Sequence, residues 1–190
     1  MAAKPGERKL QILQVIAEML QTPSGEKITT AALAKRLDVS EAALYRHFAS
    51  KAQMFEGLIE FIESGLFSVI NKIASEEEDG LLQAQMIVSL LLGFSEKNRG
   101  LTRVLIGDAL VNENERLQTR INQLLDRVEA SLKQSLRVAA TQGKLPTTHD
   151  FAAHANLLRC YAIGRWHQFV KSGFKDAPLA QWPQQWPLLA

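Results

Sequence analysis

The chain reads at a helical period almost from end to end. No stretch alternates convincingly at the period of two that a half-buried strand requires. Leu10, Leu13, Ile16, Ala17 and Leu20 recur at three- and four-residue spacing and predict a first helix with one apolar face. Thr22, Pro23, Ser24 and Gly25 end it, because proline and glycine do not continue a helix cheaply. Two short helices are predicted next, from about Thr29 to Leu37 and from about Glu41 to His47. Ser50, with Gln53 three residues on, forms a capping box that opens a fourth helix. The apolar stripe of that helix is Phe55, Leu58, Ile59, Ile62, Leu66, Val69, Ile70 and Ile73.

The acidic run from Glu76 to Asp79, closed by Gly80, reads as a solvated turn. Leu81 to Asn98 is the most apolar segment and is expected at the centre of a bundle. Arg99 and Gly100 precede a shorter helix to about Val111. Leu117, Ile121, Leu124, Leu125, Val128, Leu132 and Leu136 mark a long amphipathic helix, closed by Gly143 and Pro146. A last major helix spans about Asp150 to Lys171, and the tail with Trp182 and Trp186 is expected to strap onto the bundle.

Composition narrows the class without naming a function. Of 190 residues, 46% are hydrophobic and 22% charged, as in ordinary globular proteins. The net charge of +2 is too mild to signal nucleic acid. Its distribution says more: residues 1–55 hold eight Lys or Arg against five Asp or Glu, leaving a basic head on a near-neutral remainder. The single cysteine, Cys160, excludes an internal disulfide and, in apolar company, reads as a buried thiol. The N-terminal residues lack the apolar core of a signal peptide, and the apolar run from Met86 to Phe94 is short of the ~20 residues of a membrane span. A cytoplasmic location is therefore expected. His149, His154 and His167 match no tetrahedral ligand spacing, so no metal is expected. Without a phosphate loop, nucleophile elbow or paired-acid motif, neither an enzyme nor a cofactor is expected.

The stretch from Ile28 to Lys51 carries the chemistry. Its two short helices are joined by Asp38, Val39 and Ser40, and Ala32 is small where they must approach. Leu33, Leu37, Val39, Leu44 and Phe48 supply a shared core. A helix-turn-helix built this way offers its second helix to the major groove. Ser40, Glu41, Ala42 and Ala43 stand where base edges are met, and alanine methyls suit thymine methyls. Thr29, Thr30, Tyr45, His47 and Lys51 bring donors suited to phosphates, and Arg46 reaches either phosphate or base. Spacing alone leaves a non-binding helix pair equally open.

Leu44-Tyr45-Arg46-His47-Phe48, followed by Ser50-Lys51 and Phe55, resembles the signature of TetR-type regulators across about Glu7 to Phe61. The resemblance implies an all-α fold, TetR-like, with an N-terminal three-helix head on a larger helical-bundle dimerisation body. The boundaries implied are residues 1–52 for DNA binding and 53–190 for dimerisation and partner binding. It also implies a homodimer on double-stranded DNA.

Further segments resemble the nucleoid occlusion factors of that family. They include Leu58 to Glu63, Leu91 to Phe94, Gly100 to Arg103, Arg116 to Leu124 and Phe169 to Lys175. This resemblance implies dispersed chromosomal sites, a nucleoid-associated location and antagonism of the tubulin-like division GTPase FtsZ. The surface it implicates lies between the fourth and fifth helices, where Phe61, Lys97 and Asn98 match. Val69 stands where a basic residue is expected, Arg99 where proline is, and Asp108 where histidine is.

Two other readings stay open on the residues. One is a ligand-responsive TetR-type repressor, although bulky Leu90, Leu91, Leu92 and Phe94 leave little room for a pocket, so no small-molecule effector is expected. The other is a structural helical dimer without DNA. In any dimer the seam is expected on the last two long helices, where Ala152, Ala155, Cys160, Ala162 and Gly164 permit close approach.

Overall fold

The computed structural model describes residues 5–22 and 28–190. Pro23, Ser24 and Gly25, read as helix breakers, lie outside the described residues. The described residues form nine α-helices and one 3-10 turn, with no strand among them. The head contains α1 (Pro5–Met19), α2 (Thr30–Arg36) and α3 (Glu41–Tyr45). The body contains α4 (Lys51–Glu76), α5 (Gly80–Lys97), α6 (Arg99–Leu105), α7 (Glu115–Thr141), α8 (Phe151–Lys171) and α9 (Trp182–Leu189). The 3-10 turn Asp108–Leu110 separates α6 from α7.

Short polar side chains start the helices. The first backbone N–H groups of a helix have no internal acceptor, and an N-cap oxygen supplies one. Thr29 caps α2, Ser40 caps α3 and Ser50 caps α4, each accepting from the N–H three residues on at 3.1–3.2 Å. Gln53 Oε1 reaches back past the N-cap to accept from Ala49 N at 2.9 Å, so only the Ser50 half of the expected box is formed and its return bond falls one residue earlier. Asp79 and Asp150 cap α5 and α8 with one carboxylate oxygen each.

In the body, α5 packs against α4, α6, α7 and α8, which bury its Ala84, Ile87, Val88, Leu91 and Leu92 but leave Leu82 and Met86 exposed. Its first residue must be glycine, since a Cβ on Gly80 would overlap the backbone of Ser135 and Ala139 on α7. Trp166 of α8 is buried with its indole N–H donating to Leu91 O at 3.0 Å, so its one polar atom is satisfied. The expected strap is the short helix α9. Trp182 is buried, Tyr161 donates to Gln185 Oε1 at 2.5 Å, and His154 Nε2 donates to Leu189 O at 2.5 Å.

Head and body are joined by the packing of α1 on α4 and α6 and by polar ties. A Cβ on Gly100 would overlap the carbonyl oxygen of Ala17, so α6 starts directly against α1. Arg103 donates to Leu20 O and Thr22 O at 3.2 Å each, beyond the C-terminal end of α1, while pairing with Asp108 at 2.6 Å. Lys51, opening α4, pairs with Glu113 in the loop before α7 at 2.5 Å, with both side chains largely covered.

Four expectations about burial are corrected. The core face of α1 is Ile12, Ile16 and Met19, and Leu10 is 43% exposed. Val69 is 40% exposed, while Phe67 is buried under the Arg127 guanidinium, 4.0 Å from its ring centre. Cys160 is exposed, because α8 turns that side away from α5 and α7. Ala155 and Ala162 are fully packed inside the chain's own bundle, which leaves Ala152, Leu157, Cys160 and Gly164 on the outer surface.

Candidate nucleic-acid interface and body groove

The helix pair α2–α3 owes its shape to a short turn. Asp38 takes a left-handed conformation (φ 52°), which aspartate tolerates better than most residues. Val39 N then donates to Ala34 O at 3.0 Å, and the chain enters α3 at Ser40. Leu33 and Leu44 are buried, Phe48 closes the core from below, and Leu37 and Val39 are half-buried around it. Every apolar residue assigned to this core is at least partly covered.

The candidate DNA residues lie together on or beside α2 and α3, but they are not equally free. Ser40 and Thr29 are committed through one lone pair to their caps, and their hydroxyl protons remain available. Thr30 donates to Glu41 Oε2 at 2.6 Å, so Glu41 ties the start of α2 to the start of α3. Ala42, Tyr45 and Arg46 are exposed, and neither Tyr45 nor Arg46 is tied to another described residue. Ala43 and His47 are half-buried. Lys51 is half-buried and held by Glu113.

Two grooves mark the body near Phe61, Lys97 and Asn98. One, of about 460 Å³, lies between α4 and α5 and is lined by Val69, Met86, Leu90 and Phe94, with Lys97 and Asn98 at its end. The other, of about 470 Å³, lies between α1, α4 and α6 and is lined by Leu10, Gln14 and Phe61, again with Lys97 and Asn98. Phe61 is 49% exposed and borders only the second groove. Lys97 and Asn98 are therefore the saddle between the two. Asn98 caps α5, donating to Phe94 O at 2.8 Å, and its own carbonyl accepts from the buried Thr102 hydroxyl at 2.9 Å. Lys97 is exposed and makes no ion pair with a described residue.

The departures from the family pattern have visible roles. Asp108 holds Arg103, Arg99 lies over the Phe174 ring at 5.7 Å, and Val69 adds an apolar contact surface to the α4–α5 groove. His149 Nε2 and His154 Nδ1 are 2.8 Å apart, and His167 is exposed elsewhere on α8. Among the described residues no group of three or more His, Cys, Asp or Glu is arranged to hold a metal, and no helix is long and apolar enough to cross a membrane.

Residues 12–58 match the family model for bacterial regulatory proteins of the tetR family, and residues 78–190 match that of the tetracyclin repressor-like, SlmA-like C-terminal domain. The chain is 52% identical over 185 residues to the nucleoid occlusion factor SlmA of Alteromonas mediterranea, covering 97% of this chain and 95% of the relative. It is 50% identical over 190 residues to that of Marinomonas sp., covering 100% and 96%. Among solved structures it is similar to a TetR transcription regulator from Haloarcula marismortui (TM-score 0.82, 17% identity, 97% of each chain). It is also similar to the transcriptional regulator FadR from Bacillus subtilis, solved with stearoyl-CoA (TM-score 0.77, 17% identity, 95% and 96% of the chains). At such identities the structural likeness concerns the fold.

Proposed function

This chain belongs to the tetR family of bacterial regulatory proteins and carries the SlmA-like C-terminal domain, and from that premise we propose that it is a DNA-bound inhibitor of cell division. A family of DNA-binding regulators is not a family of enzymes. In this reading a dimer holds double-stranded DNA at dispersed chromosomal sites and antagonises assembly of an FtsZ-type GTPase over the nucleoid. The observation that carries it is identity of about half along nearly the whole chain, body included. A regulator that shared only its DNA-binding head with these relatives would match far less.

The division of labour follows the two regions. Ala42, Ala43, Ser40 and Glu41 meet base edges, and Arg46 reaches base or phosphate. Thr29, Thr30, Tyr45, His47 and Lys51 contact phosphates and position the helix. Phe61, Lys97 and Asn98 meet the division protein. Two copies pair through the outer surface of α8, where Leu157 is 52% exposed beside Cys160 and Gly164, together with α7. Such a dimer sets two recognition helices about 34 Å apart, one turn of DNA.

Sedimentation of FtsZ polymers with the protein, with and without a specific DNA duplex, tests the reading. Reduced polymer mass that depends on the duplex is expected. Unchanged polymer mass, combined with release of DNA by a small effector, points instead to a ligand-responsive repressor.

A further inference from the structure

Thr30 opens α2 and Glu41 opens α3, and the Thr30 hydroxyl donates to Glu41 Oε2 at 2.6 Å. The two threonines that begin α2 are thereby set apart. Thr29 accepts from Ala32 N and keeps its proton, whereas the single Thr30 hydroxyl proton is committed to Glu41. Glu41 itself is exposed and makes no ion pair with a described residue, and its Oε1 accepts from none of them. Its neighbours Ser40, Ala42 and Ala43 are all small, so Glu41 is the one long side chain at the start of the recognition helix. An unneutralised carboxylate is repelled by phosphates and fits a DNA surface only where it meets donors. In the major groove the donors are the amino groups of cytosine and adenine. The adenine amino group lies between two acceptors, its own N7 and the thymine O4. The cytosine amino group has an acceptor, the guanine O6, on one side only. A carboxylate therefore favours cytosine.

We propose that Glu41 Oε1 accepts from the amino group of one cytosine in each half-site, and that Thr30 is the positioning residue that holds the carboxylate in place for it. The inference rests on the reading of α3 as the recognition helix and deepens it. A glutamate on a helix surface has several rotatable bonds, and ordering it on contact with DNA weakens binding. The Thr30 bond orders it in the free protein, fixing one oxygen and leaving the other for the base. The Thr30 side chain thus serves the interface through Glu41, in place of the direct phosphate contact assigned to it above, while the Thr29 hydroxyl stays suited to a phosphate. A tie between α2 and α3 alone needs only an acceptor at position 41, which a glutamine amide also supplies. Reading cytosine needs the second acceptor, which glutamine lacks.

The test uses the full-length protein and a pool of synthetic duplexes with a random core. Bound duplexes are recovered and sequenced, and affinities for the recovered site and its single base-pair changes are read by fluorescence anisotropy. One C·G pair per half-site should be preferred over the other three pairs by about fivefold, the lower end for a base contact. Glu41→Gln should move the preference at that pair from cytosine to adenine, whose N6 and N7 suit an amide, and leave every other pair as it was. Its melting temperature should stay close to that of the parent, because the amide oxygen still accepts from Thr30. Thr30→Val should lower discrimination at the same pair, and Thr30→Ser should restore it. If Glu41→Gln keeps the parent preference at every pair, Glu41 reads no base and the inference is overturned while DNA binding stands. If Thr30→Val weakens all duplexes alike with the preference intact, Thr30 is a phosphate contact and its positioning role is wrong. If the parent protein enriches no sequence from the pool, the reading as a sequence-specific DNA-binding protein and the inference fall together.

Discussion

The head and the body use their surfaces in opposite ways. In the head, several of the groups proposed to meet DNA also build the fold, while Tyr45 and Arg46 stay clear of it. Ser40 and Thr29 cap the helices they stand before, Glu41 holds Thr30, and Lys51 is paired with Glu113. In the body, two of the three proposed partner residues, Phe61 and Lys97, are side chains the fold can do without, and only Asn98, which closes the end of α5, is not. Phe61, Val69 and Met86 project into solvent from helices whose buried faces are complete without them. A substitution at these head residues should therefore change stability and binding together, whereas one at Phe61 should change binding alone.

The largest effect should come from the place where the two regions touch. Gly100→Ala puts a methyl group onto the backbone carbonyl of Ala17, and neither partner is a flexible side chain that could swing away. Overpacking typically costs about 1–3 kcal/mol, and contact with fixed backbone belongs at the upper end. Urea unfolding should show this loss as a lower midpoint, and DNA affinity should fall with it because α1 is displaced. If Gly100→Ala leaves both unchanged, α1 and α6 are not in the contact described.

Ser40→Ala against Phe61→Ala then measures the contrast directly. Loss of an N-cap costs about 1 kcal/mol, which for a chain of this size lowers the melting temperature by roughly 2–4 °C. Ser40→Ala should show that shift together with weaker DNA binding. Phe61→Ala should melt with the parent protein, bind DNA with the parent affinity and lose partner binding. A melting shift for Phe61→Ala as large as that for Ser40→Ala would erase the distinction between the regions.

Lys51 offers a finer test, because its charge is shared between the regions. Its pairing with Glu113 offsets part of the charge it would bring to a phosphate. Glu113→Gln should free it and raise DNA affinity, and Lys51→Ala should lower affinity for all sequences alike. The slope of log K against log salt should fall by about 0.9 for Lys51→Ala, the value for one phosphate contact. An unchanged slope in both variants would leave Lys51 as a purely structural tie.

The fold was largely legible because helical periodicity is a local signal and the caps are single residues. The turn at Asp38 to Ser40 and the cap at Ser50 stand where the pattern puts them. Membership in the family and the all-helical architecture follow the Leu44 to Phe48 signature. The errors arose where one helix meets two neighbours. Helix α1 is apolar on two sides, and the stripe through Leu10 is as regular as the buried one through Ile12, so only the position of α4 decides between them. Phe67 and Val69 differ in burial for the same reason: Arg127 covers Phe67 from α7, 60 residues away in sequence, and nothing covers Val69. Cys160 points out because Ala155, Leu158 and Ala162 claim the inner side of α8. The head-side groove was not legible at all, since its walls come from α1, α4 and α6.

The smallest expected effect lies in the strap of the body and depends on pH. Leu189 O can only accept, so His154 Nε2 carries the proton in their bond and His154 Nδ1 is left to accept from His149 Nε2. Protonating His154 would place a second N–H against that donor. Burial, the largest cause, holds the His154 pKa below its ordinary value; the bond to Leu189 O opposes the shift and the charge of His149 adds to it. A base whose pKa is lower folded than unfolded binds more protons in the unfolded state between the two values, so stability rises with pH across that window. The tie is thus fully present above the ordinary imidazole value of about 6.5 and weakens as pH falls below it. Melting measured from pH 7.5 down to 5.5 should fall more steeply for the parent than for His154→Gln, and protection of the α9 amides from hydrogen exchange should fall with it. Amides of α2 and α3 should not follow, because no bond joins them to this pair. If the head loses protection in step with α9, the strap and the head open as one unit, and the separation of the two regions holds for binding but not for stability.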